Sequence, residues 1–164
     1  LGSAHRFTAP YQALRTRDGH ITVGGNNQKL WRRLCEVIGR PELADDPRFA
    51  TNADRMANRP ALVAELERAL AARDTDDWVE ALLGAGVPAG PIYDYAQVVN
   101  DPHTRAREMV VEMEHPEAGT VHALGIPIKL SATPGSIRRP APLLGEHTAE
   151  ILAELKGSDP SGTR

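Results

Sequence analysis

Apolar residues recur along this chain with two periods, and the points where the period changes mark its elements. Tyr11 to Thr16 and His20 to Gly25 alternate apolar and polar positions on either side of Arg17-Asp18-Gly19. An Asp-Gly pair between alternating runs is a strong hairpin signal, with Ile21 and Val23 on one face. Gly24-Gly25-Asn26-Asn27 breaks the second strand and opens a helix from about Gln28 to Ile38. Leu30, Leu34, Val37 and Ile38 form its apolar stripe, Gly39 suits a C-cap, and Pro41 prevents continuation. Thr51 to Ala57 reads as a short helix. Asn58-Arg59-Pro60 starts the next, since proline is tolerated in a first turn. There Leu62, Leu66 and Leu70 are spaced by four, with Val63 and Ala69 beside them. Thr75 is expected to cap a further helix, with Asp76 and Asp77 at the positive end of its dipole. Trp78, Val79, Leu82 and Leu83 form the apolar face of that helix, which ends at Gly86.

Gly86-Val87-Pro88-Ala89-Gly90-Pro91 is a stiff, extended connection, expected to cross a surface or line a cleft. Asp94 caps a short helix to Val99, and Pro102 begins another to Arg107. The period then becomes two. Met109, Val111 and Met113 alternate with Val110, Glu112 and Glu114, His115 to Gly119 turns, and Thr120 to Leu124 returns. Ile126 to Leu130 is expected to continue that strand past Pro127, and the two hairpins to share one antiparallel sheet. Pro140 and Pro142 hold the following stretch extended, and Gly145 permits a bend. Thr148 or His147 then caps a helix with Ile151, Leu152 and Leu155 on one side. The fold class is α+β: antiparallel hairpins with a helical cluster, followed by an arm and a helix. A βαβ alternation and a Gly-x-Gly-x-x-Gly fingerprint are both missing, so a Rossmann unit is not expected.

The 164 residues suffice for one domain with a core, or a small domain plus an arm. Aromatics make up only 4%, so the core must rest on Leu, Val, Ile and Ala. A net charge of -3, without a basic run, argues against a nucleic-acid partner. No apolar run approaches a membrane span and no signal-peptide pattern is present, so no membrane partner and a cytoplasmic location are expected. Cys35 is the only cysteine and lies within an apolar helical pattern, which reads as a small buried hydrophobe. His5, His20, His103, His115, His122 and His147 are scattered without metal-ligand spacing, so no metal site is expected. His115 and His122 are expected to face each other across the second hairpin. The pairs Asp45-Asp46 and Asp76-Asp77 read as helix caps. Gly24 to Gln28 is one candidate anion cradle, with Asn26, Asn27 and Gln28 at a strand-to-helix turn. A structural turn is the plainer reading of it. Residues alone therefore describe an α+β module with no complete active site. Leu1-Gly2-Ser3 without a Met suggests a piece of a longer chain.

Ala141-Pro142-Leu143-Leu144-Gly145-Glu146-His147-Thr148 resembles the closing signature of the class III CoA-transferases, the CaiB/BaiF type. Other blocks follow that family's order: Gly2-Ser3-Ala4-His5, Ala9-Pro10-Tyr11-Gln12-Ala13, Asp18-Gly19, Asn26-Asn27-Gln28 and Gly39-Arg40-Pro41-Glu42-Leu43. Asp46 to Asn52, Arg55, Asn58-Arg59, Gly86 to Pro91, Asp101-Pro102, Pro116 and Gly119 continue it. The opening looks most like the branch that uses succinyl-CoA and dicarboxylate acceptors. The resemblance implies a small, cleft-covering domain over 1–134, a return arm and helix toward a large domain over 135–156, and a disordered tail over 157–164. It implies an interlocked homodimer, coenzyme A as substrate with no covalently bound cofactor, and acyl-CoA and carboxylic acid substrates. The family's aspartate nucleophile attacks the acyl-CoA thioester, giving an anhydride and then an enzyme thioester. That aspartate would lie upstream of Leu1, so this chain alone should be inactive. The formyl-CoA branch carries a glycine-rich loop before the first hairpin. Here Gly2 to Phe7 stands in its place, a departure that points away from formate and oxalate. His5 and Arg6 are the residues expected to touch a substrate carboxylate, with Tyr11 lining the cleft; a solvated basic loop is the alternative. An α-methylacyl-CoA racemase small domain and a free-standing interaction module are the other readings.

Overall fold

The structure, a computed structural model, describes residues 2–157. It is α+β, as the periodicities predict, and divides into two units, one ending at Tyr93 and the other beginning at Asp94. In the first unit, strands β1 (Tyr11–Arg15) and β2 (His20–Gly24) form the Asp-Gly hairpin, with Leu14 opposite Ile21. Helices α1 (Gln28–Val37), α2 (Asn52–Ala57), α3 (Arg59–Leu70) and α4 (Thr75–Gly84) follow, with a 3-10 turn at Pro41–Ala44 after α1.

The stretch expected to be a bare connection is instead a strand. β3 (Ala89–Pro91) pairs antiparallel with β2, giving the order β1-β2-β3. Thr22 Oγ1 adds a bond to the Gly90 carbonyl at 3.0 Å. Proline donates nothing to a ladder, but an edge strand tolerates it. Leu14, Ile21 and Val23 from the sheet meet Leu62, Leu66 and Leu70 of α3, Trp78 and Leu82 of α4, and the buried face of α1. That face is Trp31, Leu34, Cys35 and Ile38; Leu30 lies one position off it and is only half-buried. Leu83 of α4 is likewise exposed rather than packed. Burial pushes the Cys35 thiol up to about 12, as its reading as an inert hydrophobe requires.

Two helix starts show local and tertiary capping side by side. Thr51 caps α2 in a reciprocal box with Asp54, a purely local device. Thr75, expected as the cap of α4, is instead its first residue, and Asp74 at the cap position spends its carboxylate on Arg17 at 2.7 and 2.6 Å. The helix N–H at Thr75 is satisfied from the hairpin tip, by Asp18 Oδ1 at 2.8 Å.

In the second unit, Asp94 caps α5 (Tyr95–Asn100), and α6 (Pro102–Ala106) starts at Pro102, both as predicted. β4 (Val110–His115) and β5 (Gly119–Leu124) form a separate two-stranded sheet, so the two hairpins do not share one. His122 faces Glu112 at 3.2 Å, whereas His115 lies opposite Gly119 and accepts turn N–H groups from Glu117 and Ala118. The expected continuation over Ile126 to Leu130 is not strand. At Gly125 the chain closes on the backbone of Glu108, where a Cβ would lie 1.9 Å from the carbonyl oxygen, and Pro127 then lacks a ladder donor. Gly145 turns the chain with φ +78, and α7 (Thr148–Gly157) begins three residues later. Gly157 closes that helix instead of opening the tail, and the remainder of the expected disordered tail lies outside the described residues. From Asp94 on, no described hydrophobic side chain is buried.

Candidate functional site

The loop that leads into β1 carries three of the predicted site residues. His5, Arg6 and Tyr11 line one cavity of about 690 Å³, together with Ser3, Phe7 and Thr22. The His5 and Tyr11 rings are 5.2 Å apart, and Phe7 stands edge-on to His5 at 6.2 Å. Phe7 is 77% exposed and Tyr11 47%, so the aromatic wall is open to a ligand. The Phe7 N–H donates to His5 Nδ1 at 3.2 Å. A neutral imidazole that accepts at Nδ1 carries its proton on Nε2, so the ring offers a donor there. Arg6 is exposed and has no ion-pair or hydrogen-bond partner among the described residues. Its fork of donors remains whole, the arrangement suited to a planar carboxylate. A second concavity of about 260 Å³ shares Tyr11 and Thr22 and is walled by Pro88 and Gly90, so the proline-rich stretch does border the same surface.

The backbone of this loop is held from below by side chains of α2 and α3. Asn52 donates Nδ2 to the Phe7 carbonyl at 2.9 Å and accepts the Ala9 N–H at 3.1 Å. Arg59 donates to the His5 carbonyl at 2.8 Å. Arg55, 1% exposed, donates Nε to the Ala9 carbonyl at 2.6 Å and Nη1 to the Phe49 carbonyl at 3.0 Å. Its guanidinium lies 5.1 Å over the Trp31 ring, and burial pulls it below its ordinary pKa. Sequence reasoning placed Asn52, Arg55 and Arg59 in helices and in the family resemblance but gave them no part in the site. One local signal was available: Arg55 has no carboxylate three or four residues away, so its partners had to be distant.

Asn26, Asn27 and Gln28 lie elsewhere, outside the lining of that cavity. Asn27 caps α1 by accepting the Leu30 N–H at 2.9 Å, and Gln28 Oε1 receives Arg55 at 3.3 Å. The Asn26 carbonyl accepts from Thr8 Oγ1 at 3.1 Å. Gly25 keeps the turn tight, because a Cβ there would come within 3.0 Å of Pro10 and 3.2 Å of Leu34. This turn therefore has structural work for two of its three polar side chains. Among the described residues no cluster of three or more His, Cys, Asp or Glu could hold a metal ion. No described helix is long and apolar enough to cross a membrane.

Comparison with known proteins gives the family. The profile of CoA-transferase family III matches residues 1–148. The chain belongs to CoA-transferase family III. It is 38% identical over 154 residues to human succinyl-CoA:glutarate CoA-transferase, covering 94% of this chain and 35% of that protein. It is 40% identical over 156 residues to acetyl-CoA:oxalate CoA-transferase of Acetobacter aceti, covering 94% of this chain and 39% of that protein. The crystal structure of a CaiB/BaiF family protein from Brucella suis matches with a TM-score of 0.82 at 40% identity, over 94% of this chain and 40% of the other. The chain thus spans well under half the length of the family members it matches. Family III is an enzyme family. A relative named for oxalate is as similar overall as one named for glutarate, so overall identity does not separate acceptors.

Proposed function

We propose that this chain is the cleft-covering part of a CoA-transferase that moves CoA between an acyl-CoA and a carboxylic acid, with a dicarboxylic acid as acceptor and succinyl-CoA as donor. The nucleophilic aspartate would stand on polypeptide outside these residues, in the large domain of the same protein. Its carboxylate oxygen attacks the thioester carbonyl; a C–O bond forms, the C–S bond breaks, and CoA thiolate leaves. The thiolate attacks the aspartyl carbonyl of the mixed anhydride, releasing the donor as its carboxylate and leaving an enzyme thioester. The acceptor carboxylate displaces the thiolate to form a second anhydride. Attack of the thiolate on the acceptor's carbonyl gives the new CoA ester and restores the aspartate. An anhydride hydrolyses readily, so a cover that excludes water is needed.

The unpartnered guanidinium of Arg6 beside the His5, Phe7 and Tyr11 rings carries this reading. It suits the distal carboxylate of a dicarboxylic acid, with the aromatic wall against the methylene chain. The apolar side chains exposed from Asp94 onward, Leu124, Ile128 and Leu144 among them, support packing against the large domain in an interlocked homodimer.

The test uses the intact protein with succinyl-CoA and glutarate as probes. One aspartate should be trapped by hydroxylamine or borohydride during turnover. Arg6→Ala should raise the acceptor KM by roughly 10- to 100-fold, with Arg6→Lys between the two. Solvent deuterium at the α-carbon without a covalent intermediate would instead assign a racemase, and an unchanged acceptor KM would remove Arg6 from the site.

A further inference from the structure

We infer that Asn52 and Arg59 are positioning residues for acceptor recognition, acting through the backbone that carries Arg6. The inference rests on the reading of Arg6 as the acceptor-binding group. Between them the two side chains grip the loop on both sides of Arg6. Arg59 takes the His5 carbonyl at 2.8 Å, and Asn52 takes the Phe7 carbonyl at 2.9 Å and the Ala9 N–H at 3.1 Å. The loop is also closed on the strand side, where the His5 N–H donates to the Tyr11 carbonyl at 3.0 Å.

The consequence is geometric. Carbonyls before and after Arg6 are fixed, so its Cα has little freedom, while its own side chain is left without a partner. A guanidinium on a pinned backbone meets a carboxylate with much of the ordering already done, and displacement of a binding group by about 1 Å can cost as much as 100-fold. Asn52 suits the double contact because its amide donates and accepts at once across one residue. An aspartate there would retain the acceptor for Ala9 but turn a second oxygen toward the Phe7 carbonyl. A lysine at position 59 could still donate one bond to the His5 carbonyl. Arg55 also holds the loop, but its burial in the core makes it the wrong probe, since a variant there would change stability as well as the loop. Asn52 and Arg59 are only half-buried and stand at the first positions of α2 and α3, where replacement disturbs the core least.

The experiment takes the intact protein and compares Asn52→Ala, Asn52→Asp, Arg59→Met and Arg59→Lys with the parent, varying glutarate and succinyl-CoA separately. The expected result is an acceptor KM raised at least about tenfold in Asn52→Ala, Asn52→Asp and Arg59→Met, with the donor KM within about twofold. Arg59→Lys should recover part of the loss. Combined with Arg6→Ala, Asn52→Ala should add almost nothing, because its effect travels through the same guanidinium. An unchanged acceptor KM, both KM values rising together, or full additivity with Arg6→Ala overturns the inference. Hydrogen exchange over residues 5–9 separates the two levels of the argument. Faster exchange there in Asn52→Ala, in a parent that transfers no CoA to a dicarboxylate, overturns the functional reading, and the acceptor role with it, while the grip on the loop stands. Unchanged exchange overturns the grip itself.

Discussion

Arg55 takes a positive charge into the core, and no carboxylate among the described residues forms an ion pair with it. Its three hydrogen bonds go to the Ala9 and Phe49 carbonyls and to the Gln28 amide, and the Trp31 ring lies beneath it. Removing it would strand two buried carbonyls, each worth about 1–3 kcal/mol when left unsatisfied. Arg55→Met should therefore lower the unfolding free energy by roughly 2–5 kcal/mol in urea titration. Arg55→Lys should rescue little, because one ammonium cannot reach three acceptors that a planar fork spans. A loss under about 0.5 kcal/mol would show that these bonds are not holding the loop to the core. The sequence shows an arginine at this position, but its burial arises from partners 46, 6 and 27 residues away.

The hairpin tip and the start of α4 show the same contrast for elements. The hairpin around Asp18-Gly19 is legible from the chain itself, because the alternating runs that flank it are local. That its aspartate caps a helix is not. Asp18 accepts from the Thr75 N–H at 2.8 Å, from the Thr75 hydroxyl at 2.8 Å and weakly from Thr16 at 3.5 Å. These bonds, the Thr75 N–H first, hold the Asp18 carboxyl below its ordinary value. A folded-state value below the unfolded one stabilises the fold at pH above about 4, and that stabilisation disappears as pH falls through the folded value. Glu42, Asp46, Glu65 and Glu150 are shifted in the same direction, by arginine partners. Melting temperature followed from pH 7 to pH 3 should drop below about pH 4 in the parent, and Asp18→Asn should start lower and fall less steeply. Parallel curves would mean that Asp18 contributes nothing through its charge. Likewise β3 escaped a reading by pattern, because Pro88 just before it and Pro91 at its end mask a strand that exists only by pairing with β2.

At the scale of the molecule, the two units differ in what they bury. The first encloses a core from Ala9 to Val87, including both tryptophans. The second has its caps, turns and β4–β5 ladder in place, yet among its described residues only Gly125 leaves solvent. A two-stranded hairpin whose better-covered face is only half-buried is marginal in water. Hydrogen exchange on this chain should therefore show amides of β4, β5 and α5 to α7 at least about 100-fold less protected than those of β1, β2 and α3. Equal protection in both units would require a core in the second, where no described hydrophobic side chain is buried. In the intact protein the same amides should gain protection, because the proposed large domain would cover them.

By itself the sequence determined the fold class, nearly every helix and both hairpins, the inertness of Cys35, and membership of the family. Each of these depends on period, on residues a few positions apart, or on motifs in fixed order. The tertiary structure alone decided that the hairpins sit in different sheets, that Asp18 caps a distant helix, and that Asn52, Arg55 and Arg59 hold the loop bearing Arg6. Those contacts join residues from about 40 to 60 positions apart. Side chains of this kind are chosen for the backbone atoms they meet, and backbone atoms leave no mark in a sequence.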